Sequence, residues 1–468
     1  TVLTATGTNV GFQGTTTSTG GFDNITALTG SGGTDTLTGI NAAADWTIQA
    51  GNDTYVSSGR TLTFDATTVE NLTGNSGVDT FTVTTNHTGD LSGQGDNDVI
   101  NLQGTAIVTG DLLGGAGDDL FDFDNTSRVV GNVDGGPAPT PNDAIDFSDY
   151  AAGQILTIAG TGTLHGQTGT IRDNPVTSPM ISGTFDNIDS ITGTGGLLNG
   201  PNVDTFWNIT GIDQGTFGSS LATIGTTSFN NFQIQAGTAD DTFVFQNNPN
   251  TRITNGIDGG LGTDTLAGSL AADTFDIDAG GGNVTITPTG AGVSTVLTSI
   301  ESIDGTNATD DGISNIGDFG NDTFNIDNDW SGTLNGFDGD DTFTFADAVT
   351  VTGGLTGGAG TDIIDWNAYT TARTVTLTAS DADGFSGTEA SITGGFVTID
   401  NIRGSTTGGQ IDSITGLDAV ATWTVNGGGT QYSTGGFNLA FSDFEDLSGG
   451  SQADTFNVTG AHTGDLDG

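Results

Sequence analysis

The sequence contains no cysteine and no lysine, and each absence excludes a class of protein. Without cysteine there is no disulfide framework and no thiol chemistry. Six arginines oppose 57 acidic residues, and the formal net charge is −51. Phosphate-rich partners need basic side chains, so nucleic acid and anionic membranes are poor partners. No apolar run reaches the roughly 18 residues of a membrane helix, so membrane insertion is not expected.

The residues that are abundant favour strands and turns. There are 79 glycines, and 53 of the 57 acidic residues are aspartate rather than glutamate. Apolar residues make up 33% of the chain, include 26 phenylalanines, and alternate with polar ones in runs such as Phe81-Thr82-Val83 and Phe343-Thr344-Phe345. This two-residue period predicts β-strands with one buried face and argues against disorder. The fold class is therefore predicted to be all-β.

A long repeat relates the two ends of the sequence. The segment His87-Thr88-Gly89-Asp90-Leu91 returns as His462-Thr463-Gly464-Asp465-Leu466, at an offset of 375. Trp46 returns as Trp423 at an offset of 377. We therefore predict that residues 1–34 are the tail of one repeat, 35–411 a complete repeat and 412–468 the start of the next, with no clear linkers. Such a pattern is typical of a window onto a tandem array.

A shorter rhythm lies within the long repeat. Asp79, Asp98 and Asp119 follow one another at spacings of 19 and 21, and Asp322, Asp341 and Asp362 repeat those two spacings. A unit of about 20 residues suits one coil of a parallel β-solenoid (β-helix), which is the predicted architecture. The alternative is a series of tandem β-sandwich modules of about 100 residues each. The stretches 137–141, 167–179 and 211–227 break the rhythm and are interpreted as long loops.

Three nonapeptides follow the pattern Gly-Gly-x-Gly-x-Asp-x-apolar-x, at residues 114–122, 259–267 and 357–365. Here the chain resembles the calcium-binding repeats-in-toxin (RTX) family, whose repeats fold as parallel β-rolls. The resemblance implies that calcium, a cation that prefers oxygen ligands, is held at such turns. The candidate ligands are Asp98, Asp119, Asp264, Asp273, Asp341 and Asp362. The alternative is that each Asp caps backbone N–H groups at a turn.

The wider pattern resembles the giant β-strand-repeat surface proteins of bacteria. This resemblance implies secretion to the cell surface and a structural role in an adhesin stalk, an extracellular filament or a biofilm matrix. The expected partners are neighbouring repeats or copies of the chain, joined head to tail, and surface polysaccharide. A calcium-dependent RTX-like binding module and a β-helix protein that binds or degrades polysaccharide are the alternatives.

Catalysis is not expected from this sequence. Two of the three histidines, His87 and His462, are repeat-equivalent, which suits a structural position. His165 is single and has no recognisable partner in the sequence. The chain is therefore predicted not to be an enzyme.

Overall fold

The computed structural model describes residues 1–18, 20–137, 142–151, 153–173, 179–218, 227–246, 251–254, 256–267, 274–278, 283–287, 295–298, 302–304, 321–407, 409–426 and 429–468. Within these ranges every regular element is a β-strand and none is a helix, which confirms the all-β prediction. The described residues thus include no helix that could span a membrane.

The chain divides into two compact units. Unit 1 comprises Thr1–Asn202, Asp213–Gly218 and Thr223–Ala236, and unit 2 comprises Val203–Ile212, Ser219–Ala222 and Gly237–Gly468. The boundaries of the sequence repeat, at 34/35 and 411/412, remain predictions.

The strands of unit 1 are β1 (Val2–Thr6), β2 (Phe12–Thr15), β3 (Phe22–Ile25), β4 (Thr36–Thr38), β5 (Ala44–Ile48), β6 (Asp53–Ser57), β7 (Arg60–Phe64), β8 (Asn71–Ser76), β9 (Asp79–Val83), β10 (His87–Thr88), β11 (Leu91–Gly95), β12 (Val99–Leu102), β13 (Ile107–Thr109), β14 (Leu112–Ala116), β15 (Leu120–Phe123), β16 (Arg128–Val130), β17 (Val133–Asp134), β18 (Ala144–Asp146), β19 (Gln154–Thr161), β20 (Gln167–Asp173), β21 (Phe185–Ile188), β22 (Ser190–Asn199), β24 (Gln214–Gly218) and, apart from its last residue, β25 (Thr227–Gly237).

The strands of unit 2 are β23 (Phe206–Gly211), β26 (Thr242–Phe245), β27 (Ile257–Gly260), β28 (Thr265–Ala267), β29 (Thr274–Asp278), β30 (Asn283–Thr287), β31 (Thr295–Thr298), β32 (Ser302–Asp304), β33 (Thr323–Ile326), β34 (Thr333–Asp338), β35 (Thr342–Phe345), β36 (Leu355–Ala359), β37 (Ile363–Asp365), β38 (Thr374–Asp381), β39 (Gly384–Glu389), β40 (Ile392–Ile399), β41 (Asn401–Arg403), β42 (Ser413–Thr415), β43 (Ala421–Asn426), β44 (Gly429–Thr434), β45 (Phe437–Ser442), β46 (Asp446–Ser448), β47 (Thr455–Val458) and β48 (Leu466–Asp467).

Parallel pairing connects strands of successive layers, where a layer is one of the short units of about 20 residues seen in the sequence. In unit 1, β9 pairs with β12, β12 with β15, and β15 with β18, all in parallel. Their register places Phe81, Ile100, Phe121 and Ile145 next to one another, and each is at most 1% exposed. Each such buried side chain contributes about 1.5–3 kcal/mol. The alternation of apolar and polar residues therefore builds a continuous apolar column.

The predicted parallel β-solenoid, with one short unit per coil, is nevertheless wrong, because strand directions are mixed. Strands β5–β6–β7 and β19–β20–β21 of unit 1 run antiparallel, as do β38–β39–β40 and β43–β44–β45 of unit 2. The separation between hydrogen-bonded aspartates of successive layers in unit 1 is 19, 21, 24 and then 46 residues. The longest step contains the hairpin β19–β20. Parallel and antiparallel strands share the same two-residue side-chain period, so the period predicts strands without predicting their direction.

Two antiparallel strands correct the loop prediction. Gln167–Asp173 forms β20, and Gln214–Gly218 forms β24, both within stretches interpreted as loops. The parallel ladders also do not fit the alternative of tandem β-sandwiches, because those modules are built from antiparallel sheets.

The second glycine of each nonapeptide is required by its backbone conformation and by a close neighbour. Gly358 has φ +116°, and a Cβ there would lie 1.7 Å from the carbonyl oxygen of Phe337 in the preceding layer. Gly115 has φ +113°, and its Cβ would lie 2.3 Å from the carbonyl oxygen of Gln94. Only glycine adopts this backbone without strain. The motif thus encodes a turn that lies directly against the previous layer.

The long sequence repeat has the same local packing at both of its copies. Trp46 lies 4.4 Å from Tyr55 with an interplanar angle of 57°, and Trp423 lies 4.5 Å from Tyr432 at 56°. Each indole also stacks on a phenylalanine of the parallel neighbouring strand, at 5.3 and 5.8 Å. Each phenol oxygen accepts a hydrogen bond of 2.9 Å from a backbone N–H, that of Ile40 or Leu417.

We expect Tyr55→Phe and Tyr432→Phe to destabilise the protein by similar amounts, about 1–2 kcal/mol each. Either change leaves a backbone N–H without its acceptor beside a fully buried ring, which costs the desolvation of that group. Urea unfolding followed by tryptophan fluorescence measures both losses. A loss at only one of the two positions would contradict their structural equivalence.

Candidate functional site

A row of buried aspartates links successive layers of unit 1. In each link, a carboxylate oxygen accepts a hydrogen bond from the backbone N–H of the aspartate one layer before it. The N···O distances are 2.7, 2.7, 2.7 and 3.1 Å. We call this row the first aspartate ladder; its members are Asp79, Asp98, Asp119, Asp143 and Asp189.

Unit 2 contains an equivalent row, the second aspartate ladder, formed by Asp322, Asp341, Asp362 and Asp400. Its N···O distances are 2.7, 2.9 and 3.1 Å. A buried backbone N–H needs an acceptor, and at these turns the next aspartate supplies it. The regular aspartate spacings in the sequence therefore correspond to direct hydrogen bonds between layers.

Several aspartates that have a ladder neighbour on both sides turn their second carboxylate oxygen toward a glycine. For Asp98 and Asp341 this oxygen, Oδ2, is buried and makes no hydrogen bond within the described part of the chain. A Cβ on Gly93 would lie 2.0 Å from Asp98 Oδ2, and one on Gly336 would lie 2.2 Å from Asp341 Oδ2. The glycine five residues before the aspartate thus makes room for the carboxyl group. This is the role of the first glycine in the nonapeptides at 114–122 and 357–365, since Gly114 and Gly357 face Asp119 and Asp362 in the same way.

Burial raises the pKa of the ladder carboxyl groups, because removal from water disfavours their charged form. The pKa rises to about 8 for Asp98 and Asp341, to about 7 for Asp79 and Asp362, and to about 6 for Asp119. Neighbouring carboxylates raise the pKa of Asp98 and Asp341 further, while the donated backbone N–H lowers it in part. Many of these groups therefore carry a proton near neutral pH.

The predicted calcium ligands lie at separate points of this arrangement. Asp98 and Asp119 belong to the first ladder, and Asp341 and Asp362 to the second. Asp264 accepts the backbone N–H of Asp241 at 2.8 Å and is fully buried. Asp273 lies outside the described residues. Among the described residues, none of the other five joins a group of three or more potential metal-ligating side chains.

One such group does occur, at the end of the first ladder, and it includes His165. Its Nδ1 lies 3.1 Å from Asp189 Oδ2, and its Nε2 lies 3.5 Å from Asp143 Oδ2. Nε2 is also 2.6 Å from the carbonyl oxygen of Gly136, close enough for an N–H···O hydrogen bond. The side chains of Asp143, His165 and Asp189 are 0%, 12% and 8% exposed. We call these three residues the Asp-His-Asp cluster.

The hairpin β19–β20 places His165 in this cluster. The backbone N–H groups of Leu164 and His165 donate to Asn187 Oδ1 at 2.7 and 3.3 Å. Thr163 N–H donates to Asp186 Oδ1 at 2.9 Å. The hairpin turn is thereby attached to the segment that leads to Asp189.

Sequence reasoning missed this cluster. His165 has no partner nearby in the sequence, because Asp143 and Asp189 lie 165 − 143 = 22 and 189 − 165 = 24 residues away from it along the chain. One signal could have identified the two aspartates: Asp143-Ala144-Ile145 and Asp189-Ser190-Ile191 share the Asp-x-apolar order of Asp98-Val99-Ile100.

The tryptophans do not offer a sugar-stacking surface. All five are at most 2% exposed; they are Trp46, Trp207, Trp330, Trp366 and Trp423. Their rings fill the interior of the units instead, as they do beside Tyr55 and Tyr432.

Comparison with protein-family models found none that matches the chain, and comparison with curated proteins found no significant match.

Proposed function

We propose that this protein is a structural component of an extracellular fibre, an adhesin stalk or a biofilm matrix, and not an enzyme. The observation that carries the proposal is that the same hydrogen-bonded row of aspartates occurs in both units. Asp79, Asp98 and Asp119 of the first ladder have counterparts in the second at a constant offset of 243, with the same hydrogen bonds between layers. Repetition of a buried structural motif favours a role in which length and stability matter.

The charge supports the same role. A net charge of −51 with no lysine disfavours side-by-side association of copies and binding to phosphate-bearing partners. The partners we propose are neighbouring repeats of the same protein, copies of it joined head to tail, and surface polysaccharide. We propose secretion to the cell surface as its location.

Immunogold electron microscopy with antibodies against this chain tests the proposal. The expected result is labelling outside intact cells, on surface fibres or matrix, that disappears when the gene is deleted. Antibodies against a cytoplasmic protein serve as the control for cell integrity. Label confined to the cytoplasm of sectioned cells, with none on the surface, would overturn the proposal.

A calcium-dependent module is the second candidate, and one observation favours it. Several buried ladder oxygens, such as Asp98 Oδ2 and Asp341 Oδ2, make no hydrogen bond within the described residues. If calcium neutralised these groups, ion binding would contribute to the free energy of folding.

We expect the far-ultraviolet circular dichroism of the protein at pH 7 to be the same in millimolar calcium and in excess EGTA. Hydrogen bonds between each aspartate and the next N–H hold the turns without an ion, and protonation removes much of the carboxylate repulsion. Loss of the β-sheet signal in EGTA, restored by added calcium, would replace the structural proposal by the calcium-dependent one.

A further inference from the structure

The Asp-His-Asp cluster offers a metal ion a nitrogen as well as oxygens, whereas the side chains of the other ladder members offer carboxylate oxygens alone. One atom from each of its three side chains lies within 4.8 Å of the other two, and the set combines an imidazole nitrogen with two carboxylate oxygens. Imidazole together with carboxylate suits zinc and similar first-row ions, whereas calcium takes six to eight oxygens. We propose that Asp143, His165 and Asp189 bind a single divalent transition-metal ion, for which zinc is the probe.

A second observation, independent of the clustering, points to a ligand. Asp143 is fully buried, and its Oδ2 makes no hydrogen bond within the described residues, although it faces His165 at 3.5 Å. A buried carboxylate oxygen without a partner is costly, and binding to a cation is one way in which proteins satisfy it. The other oxygen of Asp143 is already engaged by the N–H of Asp119 at 2.7 Å.

The cluster is compact and its charge fits a divalent ion. The two nitrogen–oxygen separations, 3.1 Å from Nδ1 to Asp189 Oδ2 and 3.5 Å from Nε2 to Asp143 Oδ2, involve different ring nitrogens. An ion held by one nitrogen would therefore draw toward it the carboxylate that faces the other. One ring nitrogen of His165 would bind the ion while the other keeps its N–H donated to an oxygen, an arrangement that fixes the imidazole in metal sites. Two carboxylates and a neutral imidazole balance the two positive charges. The His165 side chain is 12% exposed, so the cluster is in contact with solvent.

The position in the fold suggests what the ion does. The cluster joins the turn of the hairpin β19–β20 to Asp143 and Asp189, two successive members of the first ladder that are 46 residues apart. A bound ion would hold the hairpin against the ladder. Metal binding at such a point stabilises the folded state by mass action.

Isothermal titration calorimetry of the full 468-residue chain, stripped of metal, tests the inference with zinc chloride at pH 7. The expected result is one tight zinc site per chain, with a Kd unchanged by millimolar calcium. Asp143→Asn should weaken zinc binding by about tenfold or more, since changes even to outer-shell partners of metal sites cost that much. The amide oxygen of the variant can still accept the Asp119 N–H. The matched control is Asp149→Asn, which removes one exposed charge outside the cluster and should leave the Kd unchanged.

Two results would overturn the inference. One is the absence of a stoichiometric zinc site, which would leave His165 as a hydrogen-bonded partner of Asp143 and Asp189 without a metal. The other is a zinc Kd that both Asp143→Asn and His165→Gln leave at the value of the unaltered protein. Should both variants fail to fold, X-ray absorption of the zinc-loaded unaltered protein decides, since the proposal requires one imidazole in the first shell and an oxygen-only shell contradicts it. None of these outcomes depends on where the protein is located in the cell.

Discussion

The protein is expected to lose stability as the pH rises from about 4 to about 8. Proteins whose carboxylates are paired show the opposite dependence and lose stability in acid. The reason is the state of the buried ladder carboxyl groups. Burial raises the pKa of Asp341 from 3.8 to about 8, and like-charged neighbours contribute. In the unfolded chain the same group ionises near its ordinary pKa of 3.8.

The sign of the effect follows from proton counting. Between the two pKa values the folded protein holds a proton that the unfolded chain has released, so a rise in pH favours unfolding. The stability that this group contributes is fully present below about pH 4 and is lost as the pH approaches 8. Each unit of pKa difference corresponds to about 1.4 kcal/mol. Because the groups of one ladder are coupled, their contributions do not add.

The variant Asp341→Asn tests the effect of a single member of the second aspartate ladder. Its amide oxygen can still accept the N–H of Asp322, a bond of 2.7 Å in the unaltered protein, but it has no charge to desolvate. We expect the variant to be more stable than the unaltered protein by on the order of 3 kcal/mol at pH 9. At pH 5 it should be equal or slightly less stable.

The matched control is Asp327→Asn, at an exposed position. It removes the same charge from the same unit and reports the general repulsion of a highly acidic chain. Thermal unfolding of all three proteins at several pH values gives the comparison. Equal effects of the two substitutions would show that net charge, and not the buried ladder, sets the pH dependence.

Gly93→Ala is expected to destabilise the protein by about 3 kcal/mol or more, because overpacking costs about 1–3 kcal/mol and more where neighbours are fixed. The new methyl group would lie 2.0 Å from Oδ2 and 2.6 Å from Cγ of Asp98. The carboxyl group cannot move away freely, because its other oxygen accepts the Asp79 N–H at 2.7 Å. Gly33→Ala is the control, since nothing lies within 4 Å of a Cβ there, and it should change stability by less than about 0.5 kcal/mol.

A double-mutant cycle tests whether Gly93 and Asp98 act through each other. Asp98→Gly removes both the carboxyl group and the Cβ that approach position 93, at the cost of the hydrogen bond to Asp79. In that background Gly93→Ala should cost at least about 2 kcal/mol less than in the unaltered protein. Additive losses in urea unfolding would mean that the glycine is needed for its backbone and not for the carboxyl group.

The sequence predicts the positions of the ladders better than it predicts the fold. The regular spacings locate Asp79, Asp98 and Asp119 because each layer there is a simple turn and strand. The alternation in Phe81-Thr82-Val83 likewise predicts a strand with Phe81 inside, and Phe81 is fully buried. Both patterns are local, so a single sequence carries them.

Strand direction and long insertions are not local, and the sequence does not predict them. Thr157 in β19 and Thr82 in β9 occupy the same kind of alternating pattern, yet β19 pairs antiparallel with β20 and β9 pairs parallel with β12. The contact between His165 and Asp189 depends on the length and direction of that hairpin. A pattern read along the chain therefore finds the strands and misses the cluster.

Several carboxyl groups of the aspartate ladders, above all those of Asp98 and Asp341, are expected to hold a proton near neutral pH while they accept hydrogen bonds in the interior. Carbon-13 NMR of the metal-free protein, labelled at the aspartate carboxyl carbons and titrated from pH 3 to pH 10, measures this directly. We predict a group of carboxyl resonances with midpoints between about 6 and 8, one of which is absent in Asp341→Asn. Titration of every aspartate below pH 5 would contradict the account, because the buried carboxyl groups would then be charged.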